Sequence, residues 1–264
     1  MTNPSLAIHD PILTPHLSGA PLRVDGHPRL SGVLDTIRAA KAHGLPTPRE
    51  FEKPEVAKAL EGAVVNEWFS GYNAEDEVKR QQYRRLAMGP LLNDLAHQFK
   101  KAASSSPSPA SPAMAIYSTH DTTLAGMLST LDTFDIAPGG RRWPAFTASV
   151  GAELWKLKDG AASSATKSAS DSSSSWFAWL SGGNKTPTEP ANYDGHYVRL
   201  LYNGQALKNL PWCQRVNPSN PSQADDLCPL DDFLAKVSEL RRGNEQGLSW
   251  EEECELGRKA KSSK

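Results

Sequence analysis

Apolar positions recur every three or four residues in several stretches of the chain and every second residue in a few others. The first helical pattern starts near Ser31, with Leu34 and Ile37 as its apolar residues and Arg38 and Lys41 as its basic ones, and Gly44 and Pro46 stop it. Pro54, placed in a first turn, opens a second helix. Its residues Val56, Leu60, Val64 and Trp68 recur every four positions and predict a buried stripe, and Gly71 ends it. Ala74 to Lys101 forms a third helix or a pair of helices, with an apolar face of Leu91, Leu92, Leu95, Ala96 and Phe99. Lys100 and Lys101 suit its negative C-terminal end, and Gly89-Pro90 marks a place for a kink.

Met114 to Ser118 is a short apolar run that reads as a buried strand. It feeds the polar turn Thr119-His120-Asp121-Thr122-Thr123 and then an amphipathic helix carrying Leu124, Met127, Leu128 and Leu131. Ala145 to Leu157 alternates Phe146, Ala148, Val150, Ala152 and Leu154 on one side and predicts a strand. His196 to Tyr202 predicts another, and Asn203-Gly204 after it is a tight-turn signal. Pro229 to Leu240 reads as a last helix, with Asp231 and Asp232 in its first turn and Arg241-Arg242 at its end. Two stretches, Ala102 to Pro112 and Gly160 to Ser175, are low in complexity and read as flexible inserts.

These elements predict an α/β protein: a core of strands and helices with a helical lobe in the N-terminal half. The expected divisions are an irregular segment 1–29, a helical lobe 30–101, a flexible Ala/Ser/Pro loop 102–113, a core with the His-Asp turn 114–158, a low-complexity insert 159–190, and a core continuation with the C-terminal helix 191–264. Few strands are available for 264 residues, so the sheet is expected to be incomplete.

Charge narrows the function. With 29 basic and 30 acidic residues the formal net charge is −1, which lacks the basic excess of a phosphate-backbone binder, so no nucleic-acid partner is expected. No apolar run reaches the length of a membrane span. Met1 to Ile12 lacks the basic and apolar regions of a secretory signal peptide, and the compartment stays open. Cys213, Cys228 and Cys254 are too far apart, and too poor in neighbouring histidines, for a zinc site; no metal or cofactor is expected. They read either as three thiols or as one Cys213–Cys228 disulfide with Cys254 left over. The Gly-x-Ser-x-Gly elbow, the phosphate loop ending in Gly-Lys-Ser/Thr and the His-Glu-x-x-His zinc motif do not occur.

The strongest candidate chemistry lies in the turn 118–123, between a strand and a helix. A helix N-terminus attracts anions, and ligands of open α/β sheets bind beyond the C-terminal ends of strands. There His120 can contact an anion, and Asp121 can donate a proton to a leaving group when a neighbouring anion holds that proton on it. The plainer alternative is that Asp121 or Thr122 caps the helix and His120 is a turn residue. The second His-Asp dipeptide, His9-Asp10, has no strand before it and reads as coincidence. His27 reads as a loop anchor, His43 and His97 as solvated residues at helix ends, and Glu153 as an ordinary strand residue.

Ile116 to Leu128 resembles the His-Asp signature of the histidine acid phosphatases, of phosphoglycerate-mutase-like fold. The likeness extends beyond it. Trp143 to Trp155, with Ala152-Glu153-Leu154-Trp155, and Tyr197 to Gly204 are similar to the strands that follow in that family. Leu210-Pro211-Trp212-Cys213 and Leu227 to Phe233 resemble its cysteine-containing C-terminal part, and Glu67 to Tyr72 with Arg85 to Leu92 resembles the helical lobe of fungal-type members. The order is preserved from about residue 25 to 254.

This resemblance implies an acid phosphatase: a histidine attacks the phosphorus of a small phosphate ester, arginines clamp the phosphoryl oxygens, and water releases phosphate from the phosphohistidine. It makes Asp121 the general acid, His120 a phosphate contact, Thr122 and Thr123 binding neighbours, and Cys213 and Cys228 a disulfide pair. The family's Arg-His-Gly-x-Arg-x-Pro nucleophile motif has no counterpart, since no Arg-His pair occurs in the chain. The expectation is therefore a truncated chain with an incomplete phosphoglycerate-mutase-like sheet and little activity alone, one that would pair with a missing N-terminal segment supplying also a partner for Cys254. The alternative is a non-catalytic phosphate-binding or interaction module built on the same fold.

Overall fold

A computed structural model describes residues 4–104, 114–156, 193, 195–213, 225–241 and 248–255. The inserts predicted at 102–113 and 159–190, with Trp176 and Trp179, lie largely or wholly outside these residues.

Among the described residues seven helices and four strands occur. Helix α1 is Pro4–Ala7, α2 Asp10–Leu13, α3 Leu30–Ala42, α4 Pro54–Phe69, α5 Glu77–Ser104, α6 Asp121–Thr130 and α7 Leu230–Arg241. Strand β1 is Val150–Lys156, β2 His196–Tyr202, β3 Gln205–Ala206 and β4 Cys228–Pro229. All pairings are antiparallel, with β2 in the centre: β1 lies along one edge, from Val150 opposite Tyr202 to Lys156 opposite His196, while β3 and β4 pair with β2 on the other. The β2–β3 hairpin turns at Asn203 (φ 51°) and Gly204 (φ 76°), the left-handed pair that a two-residue hairpin of this twist requires.

The core divides in two. One cluster joins the sheet to α5, α6 and α7 through Leu92, Ala96, Phe99, Ala125, Leu128, Val198, Leu200, Phe233 and Val237. The other joins α3 and the first part of α4 to the N-terminal segment through Leu6, Leu13, Leu22, Leu30, Val56 and Leu60. Helix α4 serves both, since Val65 and Phe69 near its end belong to the first cluster. Trp143 packs against both. The sulfurs of Cys213 and Cys228 are bonded, which ties the segment after β3 to β4 at the start of α7. Cys254 is a free, exposed thiol.

Three expectations need correction. Residues 1–29, read as irregular, hold two short helices and a 3-10 turn, Thr14–Leu17, and bury Leu6, Leu13 and Leu22 completely. Turns this short leave no period for a pattern to reveal. Met114 to Ser118 has no regular secondary structure and pairs with no strand among the described residues, and Met114, Ile116 and Tyr117 are exposed, Ile116 at 81%. An apolar run becomes a buried strand only where neighbouring strands accept its backbone bonds. Finally, β1 starts at Val150 rather than Ala145, because 145–149 is a turn with Thr147 at φ 61° and Phe146 exposed. The predicted alternation survives from Ala148, as Ala148, Val150, Ala152 and Leu154 pack against the first core. In α4 the stripe of Val56, Leu60 and Val64 is buried, while Trp68 lies at the surface.

Candidate functional site

Helix α6 begins where His120, with extended backbone (φ −95°, ψ 162°), hands the chain to Asp121. The amides of Thr123 and Leu124 close the first turn by donating to the His120 carbonyl at 3.0 and 3.3 Å. Downstream, Ala125, Leu128 and Leu131 anchor the helix in the first core. Gly126 allows the close approach that this needs, since a Cβ there would lie 2.5 Å from the Tyr72 hydroxyl. The helix is thus held by its buried face, and its first turn faces an open cleft of about 1100 Å³ between α3, α4, α6 and the segment 138–148.

Asp121 uses both carboxylate oxygens. Oδ1 accepts the Thr122 amide at 2.7 Å from the first position of the helix, while the N-cap, His120, makes no side-chain cap bond. Oδ2 accepts the indole N–H of Trp143 at 2.7 Å, a bond that fixes the side chain toward the cleft. His120 is exposed on the cleft wall, as is Thr119; Thr122 also lines it, and Thr123 does not.

A second polar centre lies on the same wall and was not singled out from the sequence. Glu61, from α4, is 14% exposed and collects four donated bonds or ion contacts. Arg38 Nη2 approaches Oε1 at 2.9 Å, Arg142 contributes Nη2 at 3.0 Å to Oε2 and Nε at 3.4 Å to Oε1, and the Trp143 amide donates to Oε1 at 3.1 Å. Burial pushes the Glu61 carboxyl up, but the Arg142 hydrogen bond and the charges of Arg38 and Arg142 outweigh it and hold the group below its ordinary range. The same contact raises Arg142 above its usual value. Trp143 is the link between the centres: its backbone amide holds Glu61 and its side chain holds Asp121. Only the residue pattern Arg141-Arg142-Trp143-Pro144 hinted at this, and Glu61 stands out only as a carboxylate inside an apolar helix stretch.

The remaining candidates separate from the cleft. Asp10 accepts Arg23 at 2.8 Å and the Leu22 amide at 3.2 Å, so the second His-Asp pair braces the N-terminal segment. His43 caps the end of α3, while His97 lies on α5 well before its end; both are exposed. Glu153 is exposed on β1 beside Arg199 and Trp155. Cys213, Cys228 and Asp232 bring their ligating atoms together, but the two sulfurs are bonded to each other.

Comparison with known proteins converges on one family. Residues 29–203 match the model of the Histidine phosphatase superfamily (branch 2). A protein of Schizosaccharomyces pombe described as a probable acid phosphatase is 35% identical over 89% of this chain and 52% of its own length. The 2-phosphoxylose phosphatase 1 of Danio rerio is 27% identical over 86% of this chain and 41% of its own length. The lysophosphatidic acid phosphatase type 6 of Mus musculus is 27% identical over 78% of this chain and 36% of its own length. The chain spans about half or less of the length of these relatives. Its mixed helices and small open antiparallel sheet agree with a phosphoglycerate-mutase-like fold. With two thirds of its residues inside that match, the chain belongs to branch 2 of the histidine phosphatase superfamily.

Proposed function

We propose that the cleft at the start of α6 is the acid half of a phosphomonoester hydrolase site. Asp121 is its general acid, His120 its phosphate contact, and Thr122 the polar neighbour of the bound anion, while Thr123, off the cleft, is left out of that role. The observation that carries this reading is the 2.7 Å bond from Trp143 to Asp121 Oδ2, which points a carboxyl into the cleft beside an exposed imidazole at a helix N-terminus. The phosphatase names of the matched relatives support the reaction class.

In this reading a histidine attacks phosphorus, an N–P bond forms, and the ester P–O bond breaks as Asp121 gives its proton to the departing alkoxide. Water then attacks the phosphohistidine, returning a proton to Asp121 and releasing phosphate. The 264 residues hold no Arg-His pair. The proposal assigns the nucleophile and the phosphate clamp to an N-terminal segment beyond them, which pairs along the open run Met114 to Tyr117.

The test is hydrolysis of 4-nitrophenyl phosphate at acidic pH by this chain, by the chain with an N-terminal Arg-His-Gly-x-Arg-x-Pro segment fused to it, and by Asp121→Asn in each. Expected is background turnover by the chain alone, activity in the fusion, and a loss of about 100-fold or more in the Asp121→Asn fusion. Turnover by the unfused chain would locate the nucleophile among its own histidines. Full activity in the Asp121→Asn fusion would remove Asp121 from the acid role.

A further inference from the structure

Glu61 carries one negative charge and is shared by two guanidinium groups. Arg38 and Arg142 both lean on it, Arg142 through two nitrogens, and Trp143 adds a neutral donor. One positive charge on this wall is therefore unneutralised by Glu61. Asp35 and Lys41, also on the wall, offset each other as charges, and Asp121, the remaining acid of the lining, bonds the Trp143 indole; the lining as a whole is neutral, so the surplus is local to the arginine pair. The surplus faces water: Arg142 is 66% exposed and Arg38 27%, while Glu61 lies beneath them at 14%. A largely covered carboxylate beneath one exposed and one partly buried guanidinium fixes their planes and leaves donors for an external anion, the arrangement that binds it by charge-assisted bonds.

The location matters more than the charge. Trp143 joins this cluster to Asp121, with its backbone on Glu61 and its indole N–H on Asp121 Oδ2, so one tryptophan side chain separates the acid from the arginines. On the phosphatase reading, the alcohol that Asp121 protonates departs beside the indole that links Asp121 to the Glu61 cluster. Leu34, Val64 and Trp68 line the cleft between, so its floor is apolar. We infer that Arg38 and Arg142, organised by Glu61, form a subsite for an anionic group on the leaving alcohol, which selects phosphate monoesters bearing a carboxylate or a second phosphate one indole's length from the ester. The inference rests on the phosphatase reading for the position of the ester itself.

Non-hydrolysable ligands test it on the chain as it stands, with or without turnover. Affinities for phenylphosphonate and 4-carboxyphenylphosphonate are measured by isothermal titration calorimetry at low salt. The expected result is tighter binding of the carboxylated ligand by about tenfold, the scale of one charge-assisted hydrogen bond. Arg142→Gln and Arg38→Gln should each bring the ratio of the two affinities toward one, and His120→Ala should weaken both ligands without changing the ratio. Arg142 is exposed, so its variant should unfold with the parent chain, and an unchanged urea midpoint verifies this. Equal affinities in the parent, with binding still sensitive to His120→Ala, would overturn the anion subsite and leave the phosphate site standing. No binding of either ligand, by the chain and by the fusion that carries the proposed phosphate clamp, would overturn both.

Discussion

Tyr72 is 6% exposed, packed with its hydroxyl against Gly126 and its ring 4.8 Å from that of Tyr83. Burial, with a smaller contribution from Tyr83, pushes its phenol up to about 12. Its pKa is higher in the folded chain than in the unfolded one, so the stabilisation is complete below pH 10 and is lost as pH rises from about 10 through about 12. A rise from about 10 to about 12 corresponds to roughly 3 kcal/mol. Urea unfolding midpoints measured between pH 9 and pH 12 should fall over that window, and Tyr72→Phe should remove most of the fall; Tyr202, raised by burial in the same direction, accounts for a remainder. A pH-independent midpoint in the parent chain would show the hydroxyl to be solvated. At this scale the sequence exposes some residues and hides others for a simple reason. Asp121 and His120 are legible because a dipeptide at a turn before a helix is a local pattern. Glu61, Arg38, Arg142 and Trp143 meet only through the packing of α3, α4 and the segment after α6, and residues so far apart in the chain carry no joint signal.

Elements follow the same rule. Helices α3, α4, α5, α6 and α7 were visible because each has its own apolar period or cap, and β2 because its alternation ends in Asn203-Gly204. The run Met114 to Tyr117 was misread because burial of a strand is a property of its neighbours, not of its own sequence. What joins the elements is also tertiary. Asp132, in the left-handed region at φ 54° just after α6, accepts Arg84 of α5 at 2.7 Å and Lys236 of α7 at 2.8 Å. Arg84 is 7% exposed and Lys236 11%, and both share this carboxylate, although Arg84 also donates to the Tyr72 carbonyl at 2.8 Å and Lys236 also approaches Glu239 at 3.7 Å. Burial pushes the Asp132 carboxyl up, yet the hydrogen bonds and charges of Lys236 and Arg84 more than offset it and hold the group below its ordinary range. A depressed folded-state value gives stability that is present above the unfolded carboxylate range and is lost as pH falls through the folded one, and Glu61 acts in the same direction. Asp132→Asn should cost about 2 kcal/mol at neutral pH, discounted from a fully buried pair because Asp132 is 38% exposed. Its acid unfolding should be shallower than the parent's. Equal acid profiles for the two chains would deny the carboxylate its linking role.

The described residues form two apolar cores that share α4 and Trp143, with a four-stranded sheet on one of them and an irregular apolar run left at the surface. That run decides how the described chain behaves. Ile116 is 81% exposed, Met114 74% and Tyr117 43%, and the Tyr117 hydroxyl donates to Asp94 at 2.6 Å on α5. Side chains without burial contribute little to folding, so Ile116→Lys should change the urea unfolding free energy of this chain by less than about 0.5 kcal/mol. An open segment with apolar side chains is also a template for pairing with other chains, and a charge there opposes it. The same variant should therefore reduce concentration-dependent association, read by sedimentation velocity, while leaving the unfolding transition in place. The effect reverses once a strand covers the run. In the fusion that supplies the proposed N-terminal segment, Ile116 becomes a core position, and its replacement by lysine should cost several times as much, about 3 kcal/mol, with loss of the activity gained by fusion. A large cost in the unfused chain would mean that the run is already buried there, and the sheet would need to be redrawn around it. A small cost in both forms would mean that the added segment does not pair at Met114 to Tyr117, and the nucleophile would have to reach His120 by another route.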